Sequence, residues 1–231
     1  MKNFISVSPL KVLDLSSRKS LGIGNLGVVI ARAGVGKTAC LIHIGLHRIF
    51  QGGKIVHVSL DGGPDKVTAD YNVRVDDIIR YTSNGGEYRT LVEENRMILV
   101  YMNQTFGPER LRANLSNLAE NLEFRPDLLI VDGIDFETAG RTLFGDLKNV
   151  ATEFALEVWL SALSHRHILK VNDRGIPYPC HEVDDIFSII MQLEPATSGI
   201  VLRLLKDHDN PVISNAEVML DPNTFLVFEE E

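Results

Sequence analysis

A short glycine-bearing segment between two hydrophobic stretches limits most strongly what this chain can fold into. It runs Ala31-Arg-Ala-Gly-Val-Gly-Lys-Thr38, after the apolar run 26–30 and at the start of a stretch with helical periodicity that extends to about Gln51. In a strand–loop–helix unit of this kind, the N–H groups of the loop and of the first helical turn converge on one anion. The segment therefore predicts a phosphate-binding loop, with these ligand-binding residues: Ala33, Gly34, Val35, Gly36, Lys37, Thr38 and Ala39.

The side chains of this loop predict a nucleotide with a metal ion. Lys37 is placed to reach the β- and γ-phosphates, and the hydroxyl of Thr38 is placed to bind Mg²⁺. The motif normally begins with glycine where this chain has Ala31, a position at which we expect ordinary backbone angles. A second apolar run, 128–131, ends in Asp132, a carboxylate suited to orient the same Mg²⁺. The predicted cofactors are a nucleoside triphosphate, whose base these residues do not select, and Mg²⁺.

Strand and helix patterns alternate along most of the chain. Short apolar runs at 26–30, 54–60, 97–102, 128–131 and 158–163 are separated by stretches with helical spacing. This alternation predicts an α/β fold with a mostly parallel central sheet flanked by helices. After Ser164 the pattern changes to runs at 187–193 and 199–205 and a turn at Asp221-Pro-Asn223, which predict antiparallel strands at the C-terminal end.

Composition places the chain among ordinary globular proteins. The length of 231 residues favours one domain covering 1–231, and the net charge of −8 disfavours avid binding of nucleic acid. The two cysteines, Cys40 and Cys180, form no zinc or disulfide pattern, and no apolar run approaches the ~20 residues of a membrane span. We therefore expect a cytoplasmic protein without a membrane partner.

Taken together, these motifs resemble the RecA/KaiC/DnaB-like branch of the P-loop ATPases over nearly the whole chain. The segment 21–38 is similar to that family's glycine-rich lead-in, strand and loop, and 56–63 is similar to its second strand. The resemblance implies a RecA-like fold, hydrolysis of ATP and a homo-oligomer, as a hexameric ring or a filament. It also implies a catalytic carboxylate at the end of the second strand, where the family usually has glutamate and this chain has Asp61.

Aspartate is one methylene shorter, so hydrolysis is expected to be slow, and Asp61 can alternatively serve only to begin a turn with Gly62. The strand 158–163 resembles the one that ends in a polar sensor of the γ-phosphate, which makes Ser164 and His165 candidates. Capping or surface roles are the simpler alternative for both residues.

Two further features leave the partner open. Arg166, Lys170 and Arg174 form a basic segment that either contacts nucleic acid or a protein, or is a solvated hairpin. Lys206 and His208 resemble the cation pair that related subunits insert into a neighbour's site, and on a regular strand both would share one face. A solvated strand end is the alternative. Three functions are thus open: an assembly-coupled ATPase, a nucleotide-binding regulator without hydrolysis, and a DNA-dependent motor.

Overall fold

The computed structural model describes residues 3–15, 20–82, 87–102, 105–210 and 216–228. Its strands are β1 (Leu26–Ala31), β2 (Ile55–Ser59), β3 (Arg96–Val100), β4 (Leu128–Asp132), β5 (Glu157–Leu163), β6 (Ile189–Pro195), β7 (Ile200–Asp207), β8 (Glu217–Leu220) and β9 (Val227–Phe228). Its α-helices are α1 (Lys37–Phe50), α2 (Pro64–Thr82), α3 (Glu87–Asn95), α4 (Pro108–Asn121) and α5 (Arg141–Glu153). Short 3-10 segments lie at Phe4–Val7, Pro9–Leu15 and Cys180–Glu182.

The described strands form one nine-stranded sheet in the order β3-β2-β4-β5-β1-β6-β7-β8-β9. The strands from β3 to β6 in this order pair in parallel, and β7, β8 and β9 continue the sheet antiparallel. The structure therefore confirms an α/β protein with a mostly parallel central sheet, flanking helices and antiparallel C-terminal strands. The turn predicted at Asp221-Pro-Asn223 does connect two paired strands, β8 and β9.

Helices cover both faces of the sheet. All six residues of β1 are buried, as expected for a strand that packs on two sides. One hydrophobic cluster joins a sheet face to α1, α2 and α3, and the other joins the opposite face to α4 and α5. The leucine stripe of α4 faces this second cluster through Leu111, Leu115 and Leu118.

The topology brings several strand ends to one edge of the sheet. Strands β1, β2, β4 and β5 are parallel, so the residues that follow them meet at their common carboxyl edge. Ser59 pairs with Asp132 in register, and Ala31 pairs with Leu163. In the described part of the chain, no helix is long and apolar enough to cross a membrane.

Candidate functional site

The loop between β1 and α1 has the backbone of an anion cradle. Gly34 and Gly36 have φ angles of +75° and +105°, a region that residues with a Cβ rarely adopt. Helix α1 begins directly at Lys37, and no side chain caps its first turn, so the N–H groups of that turn are available to a ligand. Ala31 belongs to strand β1, which confirms that ordinary extended backbone is sufficient there.

The two predicted metal ligands lie in direct contact. The Thr38 hydroxyl donates a hydrogen bond to Asp132 Oδ2 at 2.6 Å, although the residues are 94 positions apart in the chain. A hydroxyl and a carboxylate are the hard oxygen ligands that Mg²⁺ prefers beside phosphate. This pair of donors therefore fits the ion that the sequence predicts.

Ser161, on β5, fixes the orientation of Asp132. Its hydroxyl donates to Asp132 Oδ1 at 2.5 Å and accepts a hydrogen bond from the Gly133 N–H at 3.2 Å. The sequence analysis missed this residue. The signal that marks it is a hydroxyl in the middle of an apolar strand, and Ser161 is only 3% exposed.

Lys37 and Asp61 face the same space as the metal ligands. A cavity of about 440 Å³ is lined by Lys37, Thr38, Asp61, Asp132 and Ser161 together with the loop that follows β4. Burial lowers the pKa of Lys37, while the charges of Asp132 and Asp61 oppose that shift. The three charged side chains are therefore near enough to act on one ligand.

The environment of Asp61 makes it a stronger base than a free carboxylate. Its pKa is raised by desolvation and then by the charge of Asp132, against the lowering effects of Lys66 and Lys37. Its Oδ2 lies where a Cβ on Gly133 would be only 2.7 Å away, so the absence of a side chain at Gly133 makes room for it. The sequence analysis did not identify this role of Gly133.

The predicted sensor residues lie at the same edge. His165 lines the cavity, and its Nε2 is 2.9 Å from Glu137 Oε1, a residue of the loop after β4 that the sequence analysis missed. The Ser164 N–H donates to the carbonyl of Ala31 at 2.9 Å, which ties the end of β5 to the end of β1. His165 is therefore the sensor candidate whose side chain reaches the cavity.

The expectation that the side chains of Lys206 and His208 share one face of the strand is wrong. Strand β7 ends at Asp207, and His208 follows it with a φ of +54°, outside the extended conformation that alternation of side chains requires. His208 is 7% exposed, and its Nε2 donates to the Leu21 carbonyl at 3.0 Å. Lys206 is half-buried, and its Nζ donates to the Asp184 carbonyl at 2.7 Å. Since β7 runs antiparallel to β6, both residues lie at the end of the sheet opposite the phosphate loop.

The three cations of the basic segment have different surroundings. Arg166 and Lys170 line a second cavity of about 420 Å³ with Arg32, beside the ends of β1 and β6. Arg174 instead forms an ion pair with Asp184, in which Nη2 lies 2.5 Å from Oδ1. Two of the three predicted cations thus share an exposed surface.

The β8–β9 turn packs against the loop between β1 and α1 and against α1 itself. The ring of Phe225 lies so close that a Cβ on Gly36 would be 1.9 Å from its Cζ. His43 Nε2, in α1, donates to the Thr224 carbonyl at 2.8 Å. The C-terminal strands therefore help to hold the conformation of the loop.

The chain was compared with known proteins by sequence. No family model matches it, and no curated protein shows a significant match.

Proposed function

We propose that this protein binds ATP together with Mg²⁺ and hydrolyses it, as a RecA/KaiC/DnaB-like P-loop ATPase. The observation that carries the proposal is the 2.6 Å hydrogen bond between Thr38 and Asp132. It lies at the N-terminus of α1, which no side chain caps, and in a cavity that Lys37 and Asp61 also line. A glycine-rich turn that merely starts a helix does not require a carboxylate from a distant strand at that place.

Each residue then has a defined task. The N–H groups at the start of α1 and the Lys37 ammonium bind the phosphates and neutralise charge that develops on them. Thr38 and Asp132 would hold Mg²⁺, which supplies further charge neutralisation to the phosphates. Asp61 orients a water molecule and accepts its proton, a role that its raised pKa favours.

The test is Mg·ATP binding by calorimetry and phosphate release by the purified protein and two variants. Lys37→Ala is expected to abolish detectable turnover, because it removes the lysine that faces the phosphate cavity. Lys54→Ala is the control, since Lys54 precedes β2 at the far end from Asp61 and its Nζ lies over Phe124. Unchanged turnover in Lys37→Ala would exclude the phosphate site.

A nucleotide-binding regulator without hydrolysis is the second candidate, and the short carboxylate of Asp61 favours it. This function predicts tight, magnesium-dependent binding of ATP with no phosphate release. A DNA-dependent motor is the third, and the surface shared by Arg32, Arg166 and Lys170 favours it. It predicts that single-stranded DNA stimulates phosphate release and that added salt removes the stimulation.

We further propose that the active form is a homo-oligomer, a ring or a filament, in which a neighbour completes each site. Lys206 remains the candidate cation from the neighbour, because its half-buried ammonium donates to a backbone carbonyl and, among the described residues, forms no ion pair with a carboxylate. Turnover per subunit should then rise with protein concentration. Mixing Lys206→Ala with Lys37→Ala subunits should restore some turnover, and absence of rescue would exclude Lys206.

A further inference from the structure

Two cavities meet at the phosphate loop. Lys37 and Thr38 line both of them, but the rest of their walls differ. The larger contains Asp61 and Asp132, and the smaller, of about 300 Å³, lies between the first turn of α1 and the side of α2. A ligand bound by the loop can therefore extend from one cavity into the other.

The chemistry of the two cavities sets the direction of a nucleotide. The metal ligands and the base that activates water belong beside the terminal phosphates, and both lie in the larger cavity. The opposite end of the triphosphate then passes the first turn of α1 at Ala39, which lines the smaller cavity. This direction, which rests on the proposed function, brings the sugar to the wall formed by α2.

That wall presents an unusual carboxylate. Asp70 is half-buried and lines the cavity, and in the described part of the chain it has no hydrogen-bond or ion-pair partner. Arg74 lies one helical turn further along α2, on the same side, and lines the cavity as well. Its Nη1 donates to Asp77 Oδ2 at 3.2 Å and also to the Asn223 carbonyl. Arg74 is therefore fixed by other groups, whereas the acceptor oxygens of Asp70 remain available.

We propose that the smaller cavity is a ribose site in which Asp70 accepts hydrogen bonds from the 2′- and 3′-hydroxyl groups. A carboxylate accepts and does not donate hydrogen bonds, so it suits a pair of vicinal hydroxyls and disfavours another phosphate. The guanidinium plane of Arg74, held by Asp77 and the β8–β9 turn, closes the cavity beside it and offers a face on which a base can stack. The preferred ligand is a ribonucleoside triphosphate, ahead of its 2′-deoxy analogue or free polyphosphate.

The experiment measures binding of ATP, 2′-deoxy-ATP and tripolyphosphate, each with Mg²⁺, by calorimetry. The parent protein should bind ATP roughly tenfold or more tightly than 2′-deoxy-ATP, because a site built around a hydroxyl rejects the analogue without it. Asp70→Ala should weaken ATP binding by about tenfold, abolish the difference between the two nucleotides, and leave tripolyphosphate binding unchanged. Asp70→Asn, which keeps the shape and removes the charge, should fall between the two.

Asp76→Ala is the matched control, because Asp76 lies on the same helix but pairs with Arg89 away from the cavity. It should bind all three ligands like the parent. Equal affinity of the parent for ATP and 2′-deoxy-ATP, or an unchanged ratio in Asp70→Ala, would overturn the ribose site while the phosphate site stands. If the parent binds neither ATP nor tripolyphosphate, the proposed function itself is overturned, and the ribose site with it.

Discussion

Adding one methyl group to the phosphate loop should reveal how strongly the β8–β9 turn supports it. In Gly36→Ala the new Cβ would lie 1.9 Å from Phe225 Cζ, and Phe225 is only 4% exposed, so the ring has little space to move. The clash should cost about 1–3 kcal/mol of unfolding free energy. The backbone φ of +105° adds about 1–3 kcal/mol of strain for a residue with a Cβ. We therefore expect a total loss of about 2–6 kcal/mol.

A double-mutant cycle separates these two costs. Phe225→Ala alone should destabilise the protein by about 3–5 kcal/mol, since it empties a buried site. In the double variant the clash is absent, so Gly36→Ala adds only its backbone strain to the cost of removing the Phe225 ring. The sum of the two single losses should therefore exceed the loss in the double variant by about 1–3 kcal/mol.

Gly34→Ala is the matched control for the cycle. Gly34 has a φ of +75°, but nothing lies within 4 Å of an added Cβ, so this variant should show strain of about 1–2 kcal/mol without a clash. Its cost should add to that of Phe225→Ala within about 0.5 kcal/mol. Urea unfolding followed by fluorescence of the single tryptophan, Trp159, measures each loss. Additive losses for Gly36→Ala and Phe225→Ala would refute the contact between turn and loop.

Three further predictions concern the site and the core. Ser161→Ala should raise the Mg²⁺ concentration needed for ATP binding by about tenfold, because Asp132 loses the hydroxyl that orients it. Titration of Mg²⁺ at a fixed ATP concentration measures this, and an unchanged midpoint would contradict it. Burial lowers the pKa of His43 to about 3 and of His57 to about 4, from 6.5, so the folded state excludes protons that the unfolded chain binds. The free energy of unfolding that the neutral histidines contribute is complete above pH 6.5 and is lost as the pH falls, by about 2 kcal/mol for each residue at pH 5. Urea unfolding at pH 7 and pH 5 tests this, and equal free energies of unfolding would refute it. Asp61→Glu should raise the rate of phosphate release, because the longer side chain reaches the attacking water better; a slower rate would show that Asp61 is either already well placed or uninvolved.

The sequence predicted the alternation of strands and helices because both signals are local. Apolar runs mark strands buried on two sides, and the glycines, lysine and threonine of the loop occur within eight consecutive positions. Asp132 was predictable for a similar reason, since it directly ends such a run. Local pattern was therefore sufficient for the coarse fold, and it also indicated Thr38 and Asp132, whose side chains are in contact in the structure.

Contacts that depend on the third dimension were not predictable. Ser161 and Gly133 matter through their distance from Asp132 and Asp61, which only the order of β2, β4 and β5 in the sheet determines. The common face expected for Lys206 and His208 failed because the alternation of side chains requires a regular strand. The strand ends at Asp207 and His208 has a positive φ, so the alternation stops before His208, and residue spacing in a sequence does not reveal this.

The support of the loop by Phe225 also has a consequence for the order of events during synthesis on the ribosome. The complete loop motif has been translated by residue 38, but the contacts that hold it include His43 with Thr224, which are 181 residues apart in the chain. Contacts of such separation form late, because the intervening chain must first become ordered. A nascent chain therefore carries the whole motif without this support, and the contacts with Thr224 and Phe225 can form only after residue 225 has left the exit tunnel. Under the proposed function, the supported form of the phosphate site is thus complete only when nearly all of the sheet can assemble.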